Sequence, residues 1–527
     1  MTTLSRLATI TAIALLLAAC APQHHKDIQR IDSLRVEAEE LVKVQSLMGF
    51  RSWAYGATAN QDSLYRAHSH LFTGDNIALV RRAEAEEPDS LQKKRLRYFL
   101  RYLTTEFINK EVAPLTDRVS NYEASAVVNV EGTSIPYRQV GTLMANERRQ
   151  SVRALLYQAQ NPVLDSLTTM LRLIEEATLR LTRDLDYPSY GAMAGILKEF
   201  SLEGFRATAE QTLAATDSLY RALLSEMVRR YLGSDLKTFY VYDLARLFHN
   251  SQFDKYFTGA SLLNVLNSTY SGMGIDIPAM KNLSIDTVGR AGKSPRAVCY
   301  PIDVPTDIRL SIKPIGGWND FSALFHEIGH ALHYAGTREN SFEFKYAGEP
   351  TVTETYAFLS EYILANQAWL RIRKLMPTPI LKDFVRFQAF HRLFFVRRYC
   401  AKFLYELQLH SGVSRPDSLY TALQTAAIGT QQTSSDAKRY LADVDAFYYS
   451  AGYLRAWFLE SQLNEKLTRE YGVNWFEHPR AGEYLRSLWA FGDRLNGDEF
   501  LRSLGYASIS PVAWLAEIKD MLRFSLK

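Results

Sequence analysis

What is scarce in this chain narrows it first. Only three of its 527 residues are cysteine, too few for a disulfide framework to replace a hydrophobic core. The 17 prolines and 27 glycines are sparse for the length, so helices are seldom interrupted and a mainly α fold is expected. No apolar run reaches the roughly 20 residues that a membrane-spanning helix needs. Basic blocks are missing too. The 61 Lys and Arg nearly balance the 57 Asp and Glu, leaving a formal charge of +4, and no nucleic-acid partner is expected. What remains is ordinary globular material, 47 % hydrophobic and 22 % charged, sufficient for a large core.

The first residues read as a processing signal. Arg6 precedes an apolar run from Ile13 to Leu17, which closes in Leu17-Ala18-Ala19-Cys20. Small residues before the cysteine resemble a bacterial lipobox, in which Cys20 is lipidated and becomes the first mature residue. Residues 1–19 are then a lipoprotein-type signal peptide and residues 20–29 a lipidated tether. The expected place is the bacterial cell envelope, lipid-anchored to a membrane. The residue after Cys20 is Ala21, not an aspartate of the kind linked to inner-membrane retention, which favours the outer membrane or periplasmic face. Residues 30–527 are expected to form a single body, divided into a helical half, 30–277, and a second half, 278–527. Cys299 and Cys400 allow either one bridge or two buried thiols.

Periodicity supplies the elements. Apolar residues at three- and four-residue steps, such as Ile31, Leu34, Leu41 and Val44, predict helix from about residue 27 to residue 110, and again over 145–184 and 202–232. The stretch 124–140 is rich in Val, Tyr and Thr with Glu131-Gly132 at its middle, which predicts a small β-hairpin. Ile308 to Ile312 alternates apolar and polar residues and predicts a short strand. Gly316-Gly317 then turns the chain, and a helix is expected to begin near Asp320, a good N-cap.

That helix carries His326-Glu327-Ile328-Gly329-His330, the HExxH pattern. Positions four apart share one helical face, so two imidazoles can bind one Zn²⁺ while the glutamate beside them serves as general base. A catalytic zinc needs a third protein ligand and an open position. Glu354, in Thr353-Glu354-Thr355-Tyr356-Ala357-Phe358, is the candidate, with Glu361 near the same helical face.

These residues, with Arg296–Pro301, Ile308–Lys313, Gly316-Gly317 and Asp320, resemble the oligopeptidase group of thimet oligopeptidase and oligoendopeptidase F. The spacing to Glu354 and Glu361 is similar to the third-ligand helix of that group and of angiotensin-converting enzyme, a related gluzincin. The likeness is specific from Arg296 to Glu361, weaker around Phe447–Glu460, and only helical before residue 250. It implies a clam-shaped helical fold with a small β-sheet beside the HExxH helix, a deep central channel, one Zn²⁺ per chain and oligopeptide substrates. It implies that the strand with Ile308 and Leu310, followed by Gly316 and Gly317, borders the cleft and pairs with an extended peptide. Glu361 and His333 are expected behind the ligands.

Late in the chain such enzymes supply a histidine and one or two tyrosines to the developing oxyanion. Tyr453 matches the first tyrosine. The histidine position is Tyr448, with Tyr449 beside it, and the later tyrosine positions hold Trp457 and Glu460. Tyr453 with Tyr448 or Tyr449 is therefore the expected donor set, and Arg455 a candidate for a peptide carboxylate. The expectation is a monomeric, lipid-anchored zinc metallopeptidase, an endopeptidase or a dipeptidyl carboxypeptidase. The alternative is a non-catalytic, metal-containing peptide-binding lipoprotein, prompted by the missing histidine.

Overall fold

The computed structural model describes residues 3–57 and 60–526, with side chains from Lys26 onward. The signal-peptide reading and Cys20 lie outside the residues so described. The chain is mainly helical, 73 % helix and 5 % strand, as the shortage of proline and glycine implied. Among the described residues no helix is long and apolar enough to cross a membrane.

The helices that matter for the site follow in chain order. α1 (Thr3–Tyr55) leads to α2 (Ser90–Ser125). The Asp89 side chain caps α2 by accepting the backbone N–H groups of Leu91 and Gln92, two of the donors a helix start leaves unpaired. A hairpin follows, β1 (Val127–Val130) and β2 (Thr133–Pro136), antiparallel. Its turn, Glu131-Gly132, has φ of 48° and 82°, the left-handed pair that a two-residue hairpin turn requires. α3 (Tyr190–Lys198) and α4 (Leu202–Leu232) come next. Ser201 caps α4 through the Gly204 N–H, and Gly233 ends it in the left-handed conformation.

The central sheet has three strands, β3 (Leu283–Asp286), β4 (Val298–Asp303) and β5 (Asp307–Ser311), in the order β3–β5–β4. β5 pairs parallel with β3 and antiparallel with β4. The strand expected at Ile308–Ile312 is thus present but central, with both backbone edges occupied. Ile308 and Leu310 are fully buried. They belong to the core rather than to a substrate surface, and the edge left for another strand on this side is β4.

α5 (Trp318–Gly336) carries the HExxH residues. It starts two residues before the expected point. Asp320 lies inside the first turn, and its Oδ2 reaches back to accept the N–H groups of Ile315 (2.6 Å) and Gly316 (2.8 Å). α6 (Thr351–Tyr362), α7 (Thr378–Leu409) and α8 (Tyr449–Tyr471) complete the site. One continuous core runs from Ile31 to Phe524, through both halves of the chain. A smaller one collects around the hairpin, from Val128 to Tyr242. Cys299 and Cys400 are free thiols, not a bridge.

Candidate metal centre

Two helices have to approach closely to bring Glu354 to the histidines. Gly329, inside the HExxH stretch, permits it. A Cβ there would stand 2.4 Å from the Tyr356 carbonyl oxygen and 2.5 Å from the Ala357 Cα. The absence of a side chain therefore lets α5 and α6 touch backbone to backbone. His326 and His330 then present Nε2 to the same oxygen, Glu354 Oε2, at 3.4 and 3.7 Å. One ligand atom from each of these three residues lies within 4.8 Å of the others.

Each of these three side chains is also held from its far side. His326 Nδ1 is 3.1 Å from Glu361 Oε2, and Glu361 Oε1 accepts the Ser322 hydroxyl at 2.6 Å. His330 Nδ1 meets Thr353 Oγ1 at 2.8 Å. The Tyr449 hydroxyl donates to Glu354 Oε1 at 2.6 Å. Glu354 Oε2, by contrast, is buried and accepts no hydrogen bond. A buried carboxylate oxygen without a donor carries a desolvation cost. A cation between it and the two Nε2 atoms removes that cost. Two imidazoles and one carboxylate form the donor set of catalytic zinc sites, so these residues fit the metal.

The electrostatics separate the two imidazoles. Burial opposes charge on His326, but Glu354 and Glu361 outweigh it and hold its pKa well above the ordinary value. Burial pushes His330 down to about 4, leaving a neutral imidazole suited to ligation. Glu354 is buried as well, yet His330, His326 and the Tyr449 hydroxyl draw its pKa down to about 2, so it stays ionised. Glu327 goes the other way. Burial raises its pKa despite His326 and the Cys299 N–H, and that N–H, on β4, fixes Glu327 Oε2 at 2.8 Å. A carboxylate with a raised pKa is a better proton carrier near neutrality.

Tyr449 and Tyr453 sit one turn apart on α8, rings 4.9 Å apart. Tyr453 is wedged among Phe358, Tyr399 and Trp457. Burial, with Glu354 and Glu327 nearby, raises its pKa, so the phenol stays protonated and able to donate.

Other expectations fail for identifiable reasons. Phe447 and Tyr448 both adopt positive φ, 52° each, and this turn sends Tyr448 away from Tyr449. The Tyr448 ring stacks on Tyr190 and meets His410, beside a separate cavity of about 920 Å³. Arg455 lies two residues past Tyr453 and faces elsewhere on the helix. It is paired with Asp498 at 2.9 Å and stacked over Phe200 at 4.1 Å, so it is a structural cation rather than a reader of substrate. His333 turns from the ligands, its Nε2 at 3.1 Å from the Gly492 carbonyl. Gly316 and Gly317 shape a tight turn, φ 93° and 99°. A Cβ on Gly317 would meet Asp254 Oδ1 at 2.8 Å, so the pair packs on residues 254–259 and does not line the centre.

Sequence reasoning missed Thr353, Ser322 and the Cys299 amide. Thr353 precedes the ligand Glu354, and nothing in its residue type announces a role. Comparison with family models and with curated proteins finds no match for this chain.

Proposed function

We propose that this chain is a zinc metallopeptidase that hydrolyses peptide bonds in short oligopeptides, as its resemblance to the thimet oligopeptidase group implies. The observation that carries the reading is the unpartnered Glu354 Oε2 facing His326 and His330, with Glu327 held beside them. His326, His330 and Glu354 are the ligands. When bound, the zinc ion supplies Lewis acidity and makes a water nucleophilic near neutral pH.

The protein's own groups do the rest. Glu327, oriented by the Cys299 N–H, takes the proton of the attacking water and delivers it to the leaving amine. The Tyr453 hydroxyl donates to the oxygen on which negative charge develops. Tyr449 holds Glu354 in place and is a positioning residue. An extended substrate adds to the sheet along β4, the strand next to Glu327, instead of β5. The clam shape, the deep channel, the monomeric state and lipid anchoring through Cys20 at the cell envelope belong to the same reading.

A peptide-library digest followed by mass spectrometry, run with and without a chelator, tests it. New internal cleavages that vanish with chelator and return with added zinc are expected. Intact peptides under every condition would leave the alternative, a metal-bearing peptide-binding lipoprotein.

A further inference from the structure

A cavity of about 490 Å³ opens beside Tyr449, within the range of roughly 300–1,000 Å³ found for ligand sites. Tyr449 lines it, and the hydroxyl of the same residue is on Glu354. Its walls come from α1, α2, α3 and the segment 346–350, and its charged residues are Arg101, Glu106, Lys198 and Glu349.

Three of these four are already engaged. Arg101 donates to the carbonyls of Ala347 and Leu197. Glu106 accepts from Tyr65 and Asn109. Glu349 accepts the N–H and hydroxyl of Thr351. Lys198 is different. Only 8 % exposed, its ammonium makes no hydrogen bond among the described residues, and its paired carboxylate, Glu349 Oε1, stands 3.8 Å away, beyond hydrogen-bond length. An ammonium taken out of water needs close acceptors to offset desolvation. Those acceptors are missing here, and the side chain lines an open cavity.

The nearby helix α8 comes close at this point. Gly452 follows Tyr449 by three residues, and a Cβ there would lie 4.0 Å from Lys198 Nζ and 3.3 Å from Glu349 Oε1. The same helix thus turns Tyr449 to the metal ligand and a bare backbone to the lysine. Arg455, the cation expected from sequence to read a carboxylate, is paired with Asp498 and does not line this cavity, whereas Lys198 lines it without a hydrogen-bonded acceptor among the described residues.

We propose that Lys198 is the specificity-determining cation of this site, binding a peptide carboxylate in the cavity beside Tyr449. This rests on the peptidase reading above for the nature of the ligand. The chemistry is shared by two sources, the free C-terminus of a short peptide and an acidic side chain within a longer one. A C-terminal source confines cleavage to a short distance from the end of the chain, whereas a side-chain source sets a preference for Asp or Glu.

Equilibrium binding in the Glu327→Gln background tests the proposal without depending on turnover. Three fluorescent peptides of one sequence are compared: free acid, C-terminal amide, and amide with one residue replaced by Glu. The expected result is about tenfold tighter binding of at least one carboxylate-bearing peptide than of the plain amide. Lys198→Gln should reduce that ratio to below twofold, and Lys198→Arg should restore most of it. Preference for the free acid identifies the C-terminus, and preference for the Glu peptide identifies a side chain. Equal binding of all three, or a preference that survives Lys198→Gln, overturns the proposal. Because Lys198→Gln is shorter and uncharged and faces a cavity, a folded variant is expected; if it does not fold, the Lys198→Arg protein decides, and loss of its preference overturns the proposal. If the carboxylate preference is found while wild-type protein cleaves nothing, the peptidase reading fails and the lysine site stands.

Discussion

At the scale of single residues, the candidate metal cluster was legible because its geometry is local. His326 and His330 share a face of α5 by helical arithmetic alone. Glu354 was legible through its apolar setting and spacing. The groups that fail, Tyr448, Arg455 and His333, all required knowing how a helix is rotated about its axis, or that two residues ahead of α8 take positive φ. Such rotation is set by packing partners distant in sequence. The two tyrosines facing the centre now have separable roles. Tyr449→Phe removes the donor to Glu354 and is expected to weaken metal affinity roughly 10–100-fold, measurable by chelator competition. Tyr453→Phe should leave that affinity in place and lower kcat by roughly 10²–10³. If the two variants show the same pattern, the division of labour is wrong.

At the scale of elements, the hairpin at Glu131-Gly132 and helix α4 stood out because turn chemistry and periodicity agree with the fold. The strand at Ile308–Ile312 was found, but its place in the sheet was not. Its neighbours β3 and β4 are set by long-range pairing, and β3, from Leu283 to Asp286, alternates apolar and polar residues over only four positions. The element contact on which the site depends is the crossing of α5 over α6 at Gly329. Gly329→Ala drives a methyl group into the Tyr356 carbonyl and must separate the helices. It is expected to cost about 3 kcal/mol or more, lowering the melting temperature, and to reduce zinc content in the same preparation. Wild-type zinc binding in a stable Gly329→Ala protein would contradict this view of the crossing.

At the scale of the whole molecule, the core joins residues from Ile31 to Phe524, which composition foretold only as size. Buried charge gives that core a pH dependence. Burial pushes Glu406 and Glu460 up to about 8, with Glu517 adding to the effect at Glu460, and Asp493 up to about 7. A carboxyl whose folded pKa lies above its unfolded value stabilises fully below the unfolded pKa. That contribution is lost as pH rises through the folded pKa. Buried imidazoles held down to about 4, His330, His333 and His391, act in the opposite sense, so the comparison is with Glu406→Gln: relative to that variant, wild type should lose resistance to urea from about pH 5 toward pH 9. A difference between the two proteins that stays flat, or grows in favour of wild type, would contradict the burial of Glu406. Metal binding acts on the same equilibrium. A ligand at about 1,000 times its Kd adds roughly 4 kcal/mol, so a chelator should lower the melting temperature of wild type and not that of Glu354→Ala.

The central claim is that His326, His330 and Glu354 hold zinc while Glu327 moves the proton. Glu327→Gln, assayed for zinc content and peptide cleavage in one preparation, tests it most directly. The expected result is about one zinc per chain in both proteins, with cleavage by the variant reduced by at least 10²-fold. Cleavage by Glu327→Gln at the wild-type rate, with zinc bound, would contradict it.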